Sequence, residues 1–229
     1  QRTGGGTGEN PQEAGRSIDA KLVAAVADRP VIGQALAGFH RIAARHVGQA
    51  LMVVDLEHRA GSLHVSAGWK FASAWTPRLA VHYDYASGDA HPNDSSNGRF
   101  DTLYGARRFE FGPTGIYGAV GRANLNSPEI VASVKPVRNV ETSLGWRWVW
   151  LAEARDAWTT GNIRDVTGAS GTEVGQQLEL RVRWDALPGN LRLETGLAHL
   201  FAGEFLRRAP NSTHQGDVNY VFTEATWQF

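Results

Sequence analysis

The 229-residue sequence has no cysteine and one methionine. Without cysteine there can be no disulfide framework, thiolate metal site or cysteine nucleophile. Net charge is lacking too, with Lys plus Arg and Asp plus Glu at 23 each. That balance argues against a nucleic-acid-binding surface, which needs a basic excess, so no nucleic-acid partner is expected. No apolar run reaches the roughly 18 residues that a transmembrane helix requires. A mean hydropathy of −0.32 looks soluble. A transmembrane barrel looks the same, because only every second strand residue meets lipid. No charged segment followed by an apolar one opens the sequence at Gln1, so the expectation is a removed leader or a fragment of a longer chain.

What the sequence has is glycine (26), tryptophan (8) and a period of two. Leu144, Trp146, Trp148 and Trp150 alternate with Gly145, Arg147, Val149 and Leu151, and the alternation runs on to Glu153 and Arg155. Leu178, Leu180, Val182 and Trp184 alternate with Glu179, Arg181, Arg183 and Asp185. Similar segments run over Met52–Leu56, Leu63–Phe71, Leu79–Tyr85, Ile130–Val134, Leu191–Phe201 and Val221–Phe229. Eight strands are therefore expected, ten at most, each about long enough to cross a membrane at a tilt. One face of each is apolar. The other carries charge on almost every strand and must meet water.

Residues 1–16 read as a polar loop or disordered segment, and 17–49 as two strands divided at Pro30, or as a helix. The barrel region is expected from 50 to 229. Its connections alternate in length: short at 72–76, 136–139 and 186–190, long at 86–128, 156–173 and 203–217. Short periplasmic turns and long external loops are the outer-membrane pattern. A short connection at 57–62 breaks it. Trp69, Phe71, Trp184, Trp227 and Phe229 fall at the periplasmic strand ends, and Tyr83, Tyr85, Trp150 and Phe201 at the outer ends. Both bands lie on the apolar parity, where membrane interfaces favour amphipathic rings. The fold expected is all-β, an antiparallel up-and-down transmembrane β-barrel. Outer-membrane lipids are then the first expected partner.

Trp227-Gln228-Phe229 resembles the terminal strand of bacterial outer-membrane proteins, whose final Phe the barrel-assembly machinery reads. In order along the chain come Tyr85-Ala86-Ser87-Gly88-Asp89, Phe100-Asp101-Thr102-Leu103-Tyr104-Gly105, Trp150-Leu151-Ala152-Glu153-Ala154-Arg155-Asp156-Ala157-Trp158 and Asp165-Val166-Thr167-Gly168-Ala169-Ser170-Gly171. This series resembles the C-terminal half of the alginate-export family of outer-membrane channels. The resemblance implies a location in the bacterial outer membrane, a larger barrel of about 18 strands, and passage of an acidic polysaccharide.

No catalytic constellation is evident: neither G-x-S-x-G nor H-E-x-x-H occurs, and neither an enzyme nor a cofactor is expected. Ser170 reads as a turn residue. His40 with His46, or His58 with His64, lack a convincing metal spacing. Asp89, Asp94 and Asp101 with Asn93 and Asn97 could offer oxygens to calcium, but a turn-rich loop is the stronger reading. The candidate substrate path is the set of arginines on the polar parity, Arg78, Arg147, Arg155, Arg181, Arg183 and Arg192, with Arg107, Arg108 and Arg122 from the long loop. Arginine binds carboxylates through two parallel hydrogen bonds, so the expected cargo is an anionic saccharide. The alternatives are a general porin for small organic solutes and a surface-interaction barrel whose long loops bind a partner. Arg59, Lys70 and Lys135 join that parity, yet acids there match the bases. Anion selectivity would then need the arginines clustered, and Arg181, Arg183 and Arg192 are expected to form such a patch. The turn at 186–190 places Arg183 across from about Leu193. The alternative is a ladder of cross-strand ion pairs.

Overall fold

The computed structural model describes residues 16–30, 57–100 and 120–229. Their strands are β1 (Arg16–Pro30), β2 (Glu57–Phe71), β3 (Arg78–Ala86), β4 (Ser96–Asn97), β5 (Leu125–Val137), β6 (Val140–Trp150), β7 (Glu173–Leu187), β8 (Leu191–Ala202) and β9 (Val218–Trp227). One short helix, α1 (Glu204–Arg208), follows β8. The long strands form one antiparallel meander in chain order, β1-β2-β3-β5-β6-β7-β8-β9. β1 and β9 are the two edges, and the sheet does not close among the described residues. The two-residue β4 folds back and pairs parallel with the start of β2, Glu57 opposite Ser96.

Several boundaries differ from the sequence reading. The supposed connection at 57–62 lies inside β2, whose pairing with β1 runs unbroken from Arg16↔Phe71 to Pro30↔Glu57. The exception to the turn-length rule therefore vanishes. Gly61 and Ser62 are paired members of β2. Of the ambiguous stretch 17–49, residues up to Pro30 belong to β1. The remainder, and the segment Met52–Leu56, lie outside the described residues. β6 stops at Trp150 rather than running to Arg155. A register shift between Val149 and Trp150 inserts Val174 as an extra residue on β7, and the fully buried Val174 turns into a core. β5 begins at Leu125, earlier than expected.

The burial pattern is inverted relative to a soluble sheet. On β6 the exposed residues are Leu144 and Trp146, while Ser143, Gly145, Arg147 and Val149 are buried. Across the meander Leu144, Leu180 and Leu197 stand side by side on the apolar face, 48%, 40% and 50% exposed. Trp69, Phe71, Trp184 and Trp227 are exposed on the same face toward the short-turn end, and Tyr83, Tyr85 and Phe201 toward the long-loop end. Removing such area from water is worth about 25 cal/mol per Å². A continuous patch of this size is not left in water by a monomeric soluble domain.

Among the described residues a conventional core forms at the long-loop end. Ala86, Val149, Leu200 and Ala202, on the charged face's own parity, meet Val120, Leu151, Ile163, Phe205 and Leu206 from the loops and α1. The long loops thus pack over the outer ends of the strands on the charged side. At the opposite end the β7–β8 turn is tight. Gly189 takes φ 86°, which only glycine adopts without strain.

Candidate functional site

The charged face is built by register. Arg147 on β6 sits opposite Glu129 on β5 and two strands from Asp84 on β3. Its guanidinium donates to Asp84 at 2.9 Å, to the Ser127 hydroxyl at 3.2 Å, and to Glu129. The Arg147 side chain is only 4% exposed, and Asp84 also contacts the His64 ring at 2.6 Å. His82 stacks on His64, with ring centroids 6.0 Å apart. Arg147 is therefore a strut between two carboxylates, with little capacity left for a ligand.

Closer to the short turns the pairs continue. Arg183 lies opposite Glu194, not Leu193, because the β7–β8 register shifts between Asp185 and Leu187. Its Nε donates to Glu194 at 3.1 Å, and Arg181 lies 3.7 Å from the same carboxylate. Arg192 donates to Asp185 at 2.6 Å. The expected patch of Arg181, Arg183 and Arg192 is thus interleaved with acids, which matches the ion-pair ladder. Charges of opposite sign face each other directly and lower each other's energy.

The other candidates are dispersed. The Arg78 guanidinium lies against Gly68, where a Cβ would come within 2.5 Å of it. Arg155 is not on a strand: it is exposed in the loop after β6, and its carbonyl accepts from Arg164 Nε at 3.0 Å. Arg122 stands just before β5, half-buried. Arg107 and Arg108 lie outside the described residues. Arg59 falls on the apolar parity, since β2 is continuous through it. Lys135 pairs with Glu141 at 3.2 Å.

Sequence reasoning missed a second hub, in the outer loops. Asp156 is fully buried. It accepts from the amides of Asp89 (2.9 Å) and Ala157 (2.8 Å) and from Arg99 Nε (2.8 Å), joining the β3–β5 loop to the β6–β7 loop. Burial pushes its carboxyl up, but the Arg99 guanidinium and those amides outweigh this and hold it below the ordinary carboxylate range. Asp165 is held down chiefly by the Thr167 and Ser170 hydroxyls, with their amides adding to the effect. Ser170 accordingly serves a turn. Asp94 receives the Ser96 amide and hydroxyl at 2.7 and 2.8 Å, and Asn97 receives the Arg99 amide at 3.0 Å. Asp101 lies outside the described residues. No metal-binding group of His, Asp or Glu occurs among those described.

An exposed apolar face backed by a charged one suits a sheet whose solvent on one side is lipid. The model of the alginate-export family matches residues 39–219. The chain belongs to this family. It is a bacterial outer-membrane protein with an export role in polysaccharide transport at the family's level of definition. No curated protein matches the chain. For an alginate-export protein the inverted burial is in keeping with the family's outer-membrane location: Leu144, Trp146, Leu180 and Leu197 are exposed on one face, and Arg147, Asp84 and Ser127 are buried on the other. The long loops, packed through Phe205, Leu206 and the Asp156 hub, then cover the outer end of the charged side.

Proposed function

We propose that the described sheet is one wall of an outer-membrane β-barrel channel that passes anionic saccharide chains passively through its lumen. The observation that carries this reading is the pairing of family membership with a charged inner face. No covalent chemistry is part of this reading. The C-terminal strand ending in Phe229 would be the element offered to the barrel-assembly machinery. A general porin for small organic solutes is the second reading. It is favoured by one observation: Arg147, Arg181, Arg183 and Arg192 are each within reach of a carboxylate, which reduces the field available to a polyanion.

Planar-bilayer recordings separate the two. The purified protein should give discrete conductance steps that an oligouronate blocks and a neutral oligosaccharide of the same length does not. Equal block by both would favour the porin. Absence of any conductance would remove the channel reading.

A further inference from the structure

The charges on the polar face are not evenly mixed along the strands. Near the short turns stand Lys70, Arg78, Lys135, Arg181, Arg183 and Arg192. The acids at that level are Glu141, Asp185, Glu194 and Glu224. Lys70 is exposed, and the Lys135 and Arg192 side chains are 53% and 51% exposed, so part of this excess reaches solvent. Toward the strand middles the balance reverses. On β3, β5, β6 and β7, Asp84, Glu129 and Glu179 stand with Arg147 among them, and Arg181 borders Glu179 from the short-turn side. Glu129 and Glu179 approach each other over Gly145, where a Cβ would come within 3.3 Å of the Glu129 carboxylate. Among the residues named, two extra positive charges near the turns are thus followed by two extra negative charges in the middle, and then by the apolar core of the loops.

We infer that the path is bipolar: a basic collar at the short-turn end adjoins an acidic belt, and this junction makes the channel conduct asymmetrically. The inference rests on the channel reading above. The collar holds mobile anions and the belt holds mobile cations. When the loop side is made positive, anions move in from the collar side and cations from the belt side. Both accumulate at the boundary, and conductance rises. With the voltage reversed both leave the boundary, and conductance falls. The same asymmetry favours loading of an anionic chain from the collar end. Fixed charges act over the screening length, which is about 30 Å at 0.01 M salt and about 3 Å at 1 M. The asymmetry belongs to dilute salt.

The test is the current–voltage curve of single channels of the whole chain in potassium chloride. The loop side is marked by an impermeant label on Gln215→Cys, the only thiol then present. In 0.01 M salt the current with the loop side positive should exceed the reverse current about twofold or more, and the ratio should approach one in 1 M salt. Lys70→Glu with Arg192→Glu should abolish the asymmetry, while unchanged conductance in 1 M salt shows that the variant is folded and open. Should that variant not open, Lys70→Gln with Arg192→Gln should at least halve the excess. A symmetric curve in dilute salt, or an asymmetry that survives both pairs of substitutions, would overturn the bipolar path and leave the channel reading intact. Lack of conductance in the unsubstituted protein would remove both.

Discussion

Replacing Arg147 by leucine should lower the stability of the membrane-inserted protein by about 3–5 kcal/mol, the usual cost of removing one member of a buried ion network. Asp84 and Glu129 would lose their shared guanidinium, with side chains only 6% and 16% exposed, and the Ser127 hydroxyl would lose a donor. Replacing Arg183, whose side chain is 28% exposed and nearer the mouth, should cost about 1 kcal/mol or less, because water screens what remains. Urea titration in liposomes, followed by tryptophan fluorescence, measures both. Equal losses in the two variants would contradict the strut role of Arg147.

The second large effect is expected from the other face. Leu180→Arg should impair insertion by about 2–4 kcal/mol, the cost of a cation at the bilayer midplane on a barrel's lipid face. Leu180 is the middle residue of β7 and stands between Leu144 and Leu197, all three exposed. Leu191→Arg, at the short-turn end of β8 on the same face, should cost about 0–1 kcal/mol, since the charge can reach the headgroups. The fraction of protein that folds into vesicles across a urea series reports the difference. A Leu180→Arg protein that inserts as well as Leu191→Arg would show that this face does not meet lipid.

The parity of the strands was legible in the sequence because alternation is a local property. Trp146 and Arg147 are neighbours in the chain, and a pleated strand must send them to opposite sides. The aromatic bands followed from the same pattern, given strand directions set by alternating turn lengths. What the pattern could not supply was register. Whether Arg183 meets Leu193 or Glu194 depends on one extra residue at the β7–β8 turn, and that choice decides between a positive patch and a row of ion pairs. Strand ends were misjudged where apolar residues continue the period but serve another core. Leu151 keeps an apolar pattern because loops pack on it, not because β6 runs on through it. The gap imagined at 57–62 arose from weak propensity in Ala60-Gly61-Ser62, which pairing with β1 and β3 overrides. The Asp156 hub was invisible for a different reason. Its partners, Asp89 and Arg99, lie more than fifty residues away and reach it only through folded loops.

A membrane-spanning wall requires the tryptophan and leucine face to meet lipid and the Arg147 face to meet water. The chain contains no cysteine, so single cysteines introduced along β6 report without background. Spin labels at residues 141 to 148, one position at a time in proteoliposomes, give the collision rates with oxygen, which concentrates in the bilayer, and with a water-soluble nickel chelate. A period of two is expected, with oxygen contact highest at 144, 146 and 148 and chelate contact highest at 141, 143 and 145. The opposite phase, or chelate contact equally high at every position, would contradict it.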